Sequence, residues 1–242
     1  MSYLNPPKVT SVRYAHNFIK TAVCELRFPV QLDLESKPPS NFYKKIRKNY
    51  PHFETQIVST GHPEDNGEHR YLISSKQRDW TINLRAMSFA VETSKYKDFE
   101  DFFGKFNGLL SKASDLIDSD FFTRVGLRYI NVINIPDTKP DGWIRPELIG
   151  ALSSGVLGDV KTKVSVVQGA LENGGEYVLR QKMQPDSSGG LEYYLDYDYF
   201  KNDVEFKELE GLIRYFHDLN FSFFYWCLGE KAIKYLGEGV KK

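Results

Sequence analysis

The alternation of apolar and polar positions divides this chain into strands and helices before any other property is considered. Ala22 to Val30 (AVCELRFPV) is an apolar, strand-like run. Pro38-Pro39-Ser40-Asn41 reads as a turn and helix cap for NFYKKIRKNYPHF, in which Phe42, Ile46 and Phe53 share a face and Lys44, Lys45, Arg47 and Lys48 point elsewhere. Pro51 is expected to end that helix. A polar stretch from Thr60 to Gly67 forms the first long loop, followed by three strand-like runs, HRYLISSK, WTINLRA and MSFAVET. KDFEDFFGKFNGLLSKASDLI then places Phe99, Phe102, Phe103, Phe106, Leu109, Leu110, Ala113 and Leu116 at steps of three and four, which predicts an amphipathic helix. Gly104 and Gly108 each weaken it by up to about 1 kcal/mol, less than the burial of four phenylalanines returns.

The second half repeats this order. FFTRVGLRYINVINIP is a long strand rich in β-branched and aromatic residues, and PELIGALSSGVLG opens with a proline suited to a first helical turn. KVSVVQGALE, EYVLRQKMQ and LEYYLDYDYF read as three strands, the last two joined by a turn at 185–190. A final helix is expected from about Val204 to Leu236, with Phe206, Leu209, Ile213, Phe216, Phe223 and Cys227 along one side. Each half therefore reads β-α-β-β-β-α. CELRF at 24–28 and VGLRY at 125–129 are offset by 101 residues, and Phe99 and Phe206 by 107. The predicted fold is α+β, one domain over 1–242. It is built from two fused pseudo-repeats, about 9–118 and 121–237, with antiparallel sheet and helices packed on one face.

Composition narrows the function classes. The 242 residues are 41% hydrophobic and 26% charged, too apolar for a disordered chain. Thirty-two basic residues balance 32 acidic ones, which argues against a protein that coats nucleic acid through a basic excess. Two cysteines cannot form a disulfide framework or a paired-cysteine metal site. No window approaches the roughly 18 apolar residues of a membrane span, and the start lacks a signal-peptide core, so a cytoplasmic location is expected. His16, His52, His62, His69 and His217 show no metal-ligand spacing. No phosphate loop, nucleophile elbow or dinucleotide fingerprint is present. The expectation is no metal, no cofactor and no assigned catalytic residue.

Candidate chemistry centres on LEYYLDYDYF. Alternation puts Leu195, Tyr197 and Tyr199 on one face and Tyr194, Asp196, Asp198 and Phe200 on the other. Asp196 and Asp198 could share a divalent cation, or form a polar face paired with arginines. Arg124 and Arg128 alternate on RVGLRYIN, so Arg128 would meet Asp196 or Asp198 if the two strands are neighbours. The Lys44, Lys45, Arg47 and Lys48 run, with Tyr43 and Tyr50 interleaved, is the candidate nucleic-acid surface; a solvated helix face is the simpler explanation. His217 reads as a packed histidine with one hydrogen bond, or else a general base. Cys24 and Cys227 read as small buried hydrophobes. FSFFYWCL at 221–228 is apolar on several sides, which predicts a homodimer through the C-terminal helix.

CELRF, FYKKIRKNYPHFE, WTINL, SKYKDFEDFF, RVGLRYINVI, LDYDYF and the His217-Asp218 helix together resemble a sporadically distributed prokaryotic protein family of about 250 residues. The resemblance covers nearly the whole chain, and RVGLRYIN is its most specific part. It implies a bacterial or archaeal single-domain protein with no assigned activity. Arg128, Tyr129, Asn131, Asp196 and His217 match positions of that pattern. Scattered distribution is a feature of mobile defence or toxin-related genes. The functional expectation is therefore a non-enzymatic binding or regulatory protein, such as an immunity component with a protein partner. The alternatives are a metal-dependent phosphoester or nucleotide enzyme using Asp196 and Asp198, and a nucleic-acid binder using the basic helix.

Overall fold

The computed structural model describes residues 2–10, 12, 14–58, 67–154 and 156–237. The loop expected over Thr60–Gly67 lies outside these residues apart from Gly67, as does His62. The chain begins with β1 (Ile19–Arg27), α1 (Leu32–Ser36), α2 (Ser40–Ile46) and β2 (His52–Val58). It continues through β3 (Glu68–Ser74), β4 (Trp80–Arg85), β5 (Ser88–Thr93) and α3 (Phe99–Lys112). The second half contains β6 (Phe121–Ile135), α4 (Pro146–Ile149), β7 (Lys163–Ala170), β8 (Glu176–Pro185), β9 (Leu191–Glu205), α5 (Leu209–Cys227) and α6 (Glu230–Leu236). Among the described residues the fold is α+β, with a nine-stranded antiparallel sheet in the order β2-β3-β4-β5-β1-β6-β9-β8-β7.

Two elements differ from the sequence expectation. The helix expected to end at Pro51 stops at Ile46, where the Asn49 and Tyr50 N–H groups close onto the Ile46 carbonyl. Pro51 disfavours helical backbone at Tyr50. The chain then turns extended, and β2 pairs with β3 along its whole length. Phe53 packs from this strand against Tyr43 at 5.0 Å and Tyr71 at 6.0 Å. The first half thus carries four strands between its helices where the second carries three, so the expected element-for-element repeat is not reproduced. The final helix also differs: β9 runs on to Glu205, and the helix begins at Leu209 and breaks at Gly229. A Cβ at Gly229 would overlap the Gly142 carbonyl, and its N–H donates to the Trp143 oxygen at 2.9 Å.

The described residues form two compact units. In the unit built from 21–127 and 200–213, Ala22, Cys24, Leu26, Ile82, Leu84, Phe89 and Val91 are buried on the helix-covered side of the strands. Trp80 stacks on Phe102 of α3 at 5.8 Å, and Phe89 meets Phe42 of α2 at 6.2 Å and Phe106 of α3 at 6.4 Å. Asp98 caps α3, its Oδ1 accepting the Asp101 N–H at 2.9 Å.

In the unit built from 1–20, 128–199 and 214–242, Tyr193, Leu195, Tyr197 and Tyr199 are buried on one side of β9. Phe216 of α5 lies 6.3 Å from Tyr199, and Phe223 lies edge-on to Tyr197 at 5.5 Å. The helix is covered from other directions by the chain itself. Tyr14 stacks on Phe221 at 6.1 Å, Phe18 meets Phe224 at 6.4 Å, and the Val9 N–H donates to Ser222 Oγ at 3.3 Å. Trp226 stacks on Phe223 at 5.5 Å beneath the Arg145 guanidinium. The aromatic surplus that suggested a dimer through this helix is therefore met within the chain. Among the described residues, no helix is long and apolar enough to cross a membrane.

Candidate binding face

In the unit that contains β8 and most of β9, the side of these strands away from α5 carries charged side chains. In the second unit, burial along β9 alternates strictly from Leu191 to Tyr199, leaving Glu192, Tyr194, Asp196 and Asp198 half-buried on the opposite side. The same alternation buries Leu179, Gln181 and Met183 of β8 and exposes Arg180 and Lys182. On β6, Tyr129, Asn131 and Ile133 point inward, and Arg128, Ile130 and Val132 point outward. The order β6-β9-β8 brings these outward residues together on one surface.

Asp196 is its centre. Arg128 donates Nε to Oδ1 and Nη2 to Oδ2 of Asp196, each at 2.7 Å, a two-pronged pairing that fixes both planes. Arg180 approaches the same Oδ2 only to 3.9 Å. The arginine side chains are 41% and 45% exposed against 13% for the carboxylate, so the acid is sheltered while both cations face solvent. Beside them, Lys182 Nζ lies 5.9 Å from the Tyr194 ring centre. Glu192 accepts from the Tyr194 hydroxyl at 2.7 Å and the Gln184 amide at 2.9 Å. These donors hold the Glu192 carboxyl below its ordinary range, and the bond to Glu192 raises the Tyr194 phenol. The expected cross-strand pair of Arg128 is thus present. Asp196, proposed as half of a cation site, has both oxygens engaged by Arg128.

Arg124 belongs to the other unit and is held there. Its Nη1 donates to Glu25 Oε2 at 2.9 Å, and its guanidinium lies 4.4 Å over the Phe200 ring. It also lies across Gly126, where a Cβ would come within 2.6 Å of Nη1. Glycine at this position lets the arginine lie flat along its own strand.

The remaining candidates separate from this surface. Asn131 is 1% exposed on the helix-covered side, its Nδ2 donating to the Leu195 carbonyl at 3.4 Å. His217 is buried, with Nδ1 at 3.2 Å from the Tyr129 hydroxyl and its ring against Phe221. Both serve the core between β6, β9 and α5. Cys24 and Cys227 are fully buried, and burial pushes the Cys227 thiol up to about 12. Lys44, Lys45, Arg47 and Lys48 are exposed, and Lys45 pairs with Asp115 at 2.6 Å. Lys44 and Lys45 lie within α2, while Arg47 caps it and Lys48 lies beyond it. Among the described residues, no group of three His, Cys, Asp or Glu side chains could hold a metal ion.

Sequence reasoning missed Arg180 and Lys182. The period of two in EYVLRQKMQ carried the signal, since it places both on the side opposite Leu179 and Met183. Compared with known proteins, the chain matches no family model and no curated protein.

Proposed function

We propose that this protein is a non-catalytic binding protein that engages a protein partner through the outward surface formed by Arg128, Arg180, Lys182, Asp196 and Asp198. The observation that carries the reading is the convergence of two solvent-facing guanidiniums on one sheltered carboxylate. Arg128 engages both Asp196 oxygens while Arg180 stands off at 3.9 Å, so the Arg180 fork can meet an acceptor on an incoming surface. Arginine at such a position supplies a planar, two-pronged contact.

Charge balance favours a protein over a nucleic acid. Arg128, Arg180 and Lys182 are matched on the same surface by Asp196, Asp198 and Glu192. A phosphate backbone approaching it would meet as many carboxylates as cations, whereas a protein surface of mixed charge can complement both. A defence- or toxin-linked partner is consistent with the family resemblance.

The experiment is affinity purification of tagged protein from its native host, in wild-type form and as Arg180→Glu, with bound proteins and nucleotides identified. Arg180 is exposed and lies outside the bidentate pair, so its reversal leaves the core intact. A stoichiometric protein partner, lost from the Arg180→Glu sample, supports the reading. Undiminished recovery of the partner with Arg180→Glu, or a bound nucleotide with no protein partner, contradicts it.

A further inference from the structure

We propose that two copies of this chain associate through β7, pairing antiparallel about a two-fold axis at Val166. The strand ends the sheet order, so among the described residues β8 is its sole strand neighbour. The direction of its free hydrogen-bonding groups can be read from its end. The Ala170 carbonyl accepts the Leu4 N–H at 3.3 Å, away from β8, while the Leu171 N–H turns inward to the Gly175 carbonyl. With a period of two, the N–H and C=O groups of Val164, Val166 and Gln168 point the same way as that of Ala170. Among the described residues these three have no backbone partner.

End strands of natural sheets are ordinarily blunted by charge, proline or a bulge. Beyond Lys163 this one has none of these. From Val164 to Ala170 the sequence is VSVVQGA, without a charged residue, and its register with β8 is unbroken. Lys163, the one charge on the strand, is turned inward, its ammonium donating to the Leu148 and Ile149 carbonyls. Val164, Val166 and Val167 are 65%, 62% and 45% exposed. By contrast β2, at the other end of the order, carries Glu54 paired with Arg78.

A second copy fits this edge for two reasons. A two-fold contact sets the strand against a second copy of itself, so a strand of like charges would repel its copy and an uncharged one does not. The register is also determined. Centring on Val166 pairs Val166 with Val166, and Val164 with Gln168, which uses all three free positions. Centring on Val167 would need the Ala170 carbonyl that Leu4 already occupies. The Val166 pair would then exchange both backbone hydrogen bonds, with Cα atoms about 5.5 Å apart.

The test is sedimentation velocity from micromolar to submillimolar concentration on wild type, Val166→Lys and Val166→Pro, with mild oxidation of Val166→Cys and Val164→Cys. Proline at 166 removes an N–H that has no backbone partner among the described residues, so circular dichroism should show both blocking variants folded. The expected result is a reversible wild-type dimer, lost in Val166→Lys and Val166→Pro. Val166→Cys should cross-link, since the pair falls within the roughly 4.4–6.8 Å of a disulfide. Val164→Cys should not, its copies being on the order of 13 Å apart in this register. The native cysteines are buried and provide no background. A wild-type monomer throughout, a dimer that persists in both blocking variants, or equal cross-linking at 164 and 166 overturns the proposal.

Discussion

Raising the pH is expected to unfold the protein cooperatively between about pH 10 and 11, because phenols and thiols that ionise only when exposed are built into its core. Tyr193, Tyr197 and Tyr199 are at most 1% exposed, and Cys24 and Cys227 are 0% exposed. Burial raises all three phenols, and the neighbouring Cys227 raises them further. Burial likewise raises both thiols, Cys227 to about 12. Each folded pKa therefore lies above its unfolded value. The associated stability is complete below the unfolded pKa and is lost as the pH climbs from there towards the folded one. In that window each group removes about 1.4 kcal/mol per pH unit. At pH 11 the three tyrosines account for about 4 kcal/mol, and the two thiols, which ionise near 8.5 when unfolded, for about 7 kcal/mol. Together they rival the roughly 5–15 kcal/mol that holds a domain folded. Tyrosinate absorbance and far-ultraviolet circular dichroism, followed in one titration, test this. Ionisation of Tyr193, Tyr197 and Tyr199 should be delayed and should coincide with loss of secondary structure. A single tyrosine wave near pH 10 with the dichroism unchanged would refute the reasoning.

Five further substitutions probe the packing more locally. Gly126→Ala should cost about 1–3 kcal/mol by thermal unfolding, because its Cβ displaces Arg124 from Phe200 and Glu25. In an Arg124→Ala background that cost should largely vanish, and full additivity would show that the guanidinium is not what the methyl meets. Tyr199→Phe deletes a buried hydroxyl that has no hydrogen-bond partner among the described residues, so denaturant stability should hold or rise by about 1–2 kcal/mol. Tyr193→Phe, which breaks a 3.0 Å bond to Gln181, should lower it by about 1 kcal/mol. Equal effects of the two would contradict the hydrogen-bond assignments. Gly229→Ala collides with the Gly142 backbone and should destabilise by about 2 kcal/mol or more, whereas Gly211→Ala enters open space on α5 and should stabilise by about 0.5–1 kcal/mol. A stabilising Gly229→Ala would remove the explanation for the α5–α6 break.

Much of this arrangement is legible in the sequence where one periodicity runs uninterrupted. The nine residues from Leu191 to Tyr199 alternate without a break, so the inward tyrosines and outward aspartates follow directly. The α3 stripe is equally clear because six of its apolar positions are buried. Legibility fails where local and tertiary preferences compete. Phe53 is at helical spacing from Phe42 and Ile46, yet pairing with β3 draws it into a strand. The break before α6 depends on a backbone 87 residues earlier in the chain, at Gly142, and no local signal other than glycine itself announces it. The aromatic excess of α5 suggested an external partner because sequence spacing does not show that Tyr14 and Phe18 return to cover it. Asn131 and His217 attract notice as polar residues, but each is bonded inside the core, Asn131 to the Leu195 carbonyl and His217 to the Tyr129 hydroxyl.

Lysine footprinting of the complex isolated from the native host tests the central claim most directly. Lys182 is exposed on the outward surface of β8, and Lys44 and Lys48 are exposed on and beyond α2. A bound protein partner is expected to shield Lys182 from acetylation while Lys44 and Lys48 react as they do in the free protein. Shielding of Lys44 and Lys48 with Lys182 fully reactive would contradict it and move the recognition surface to the basic helix.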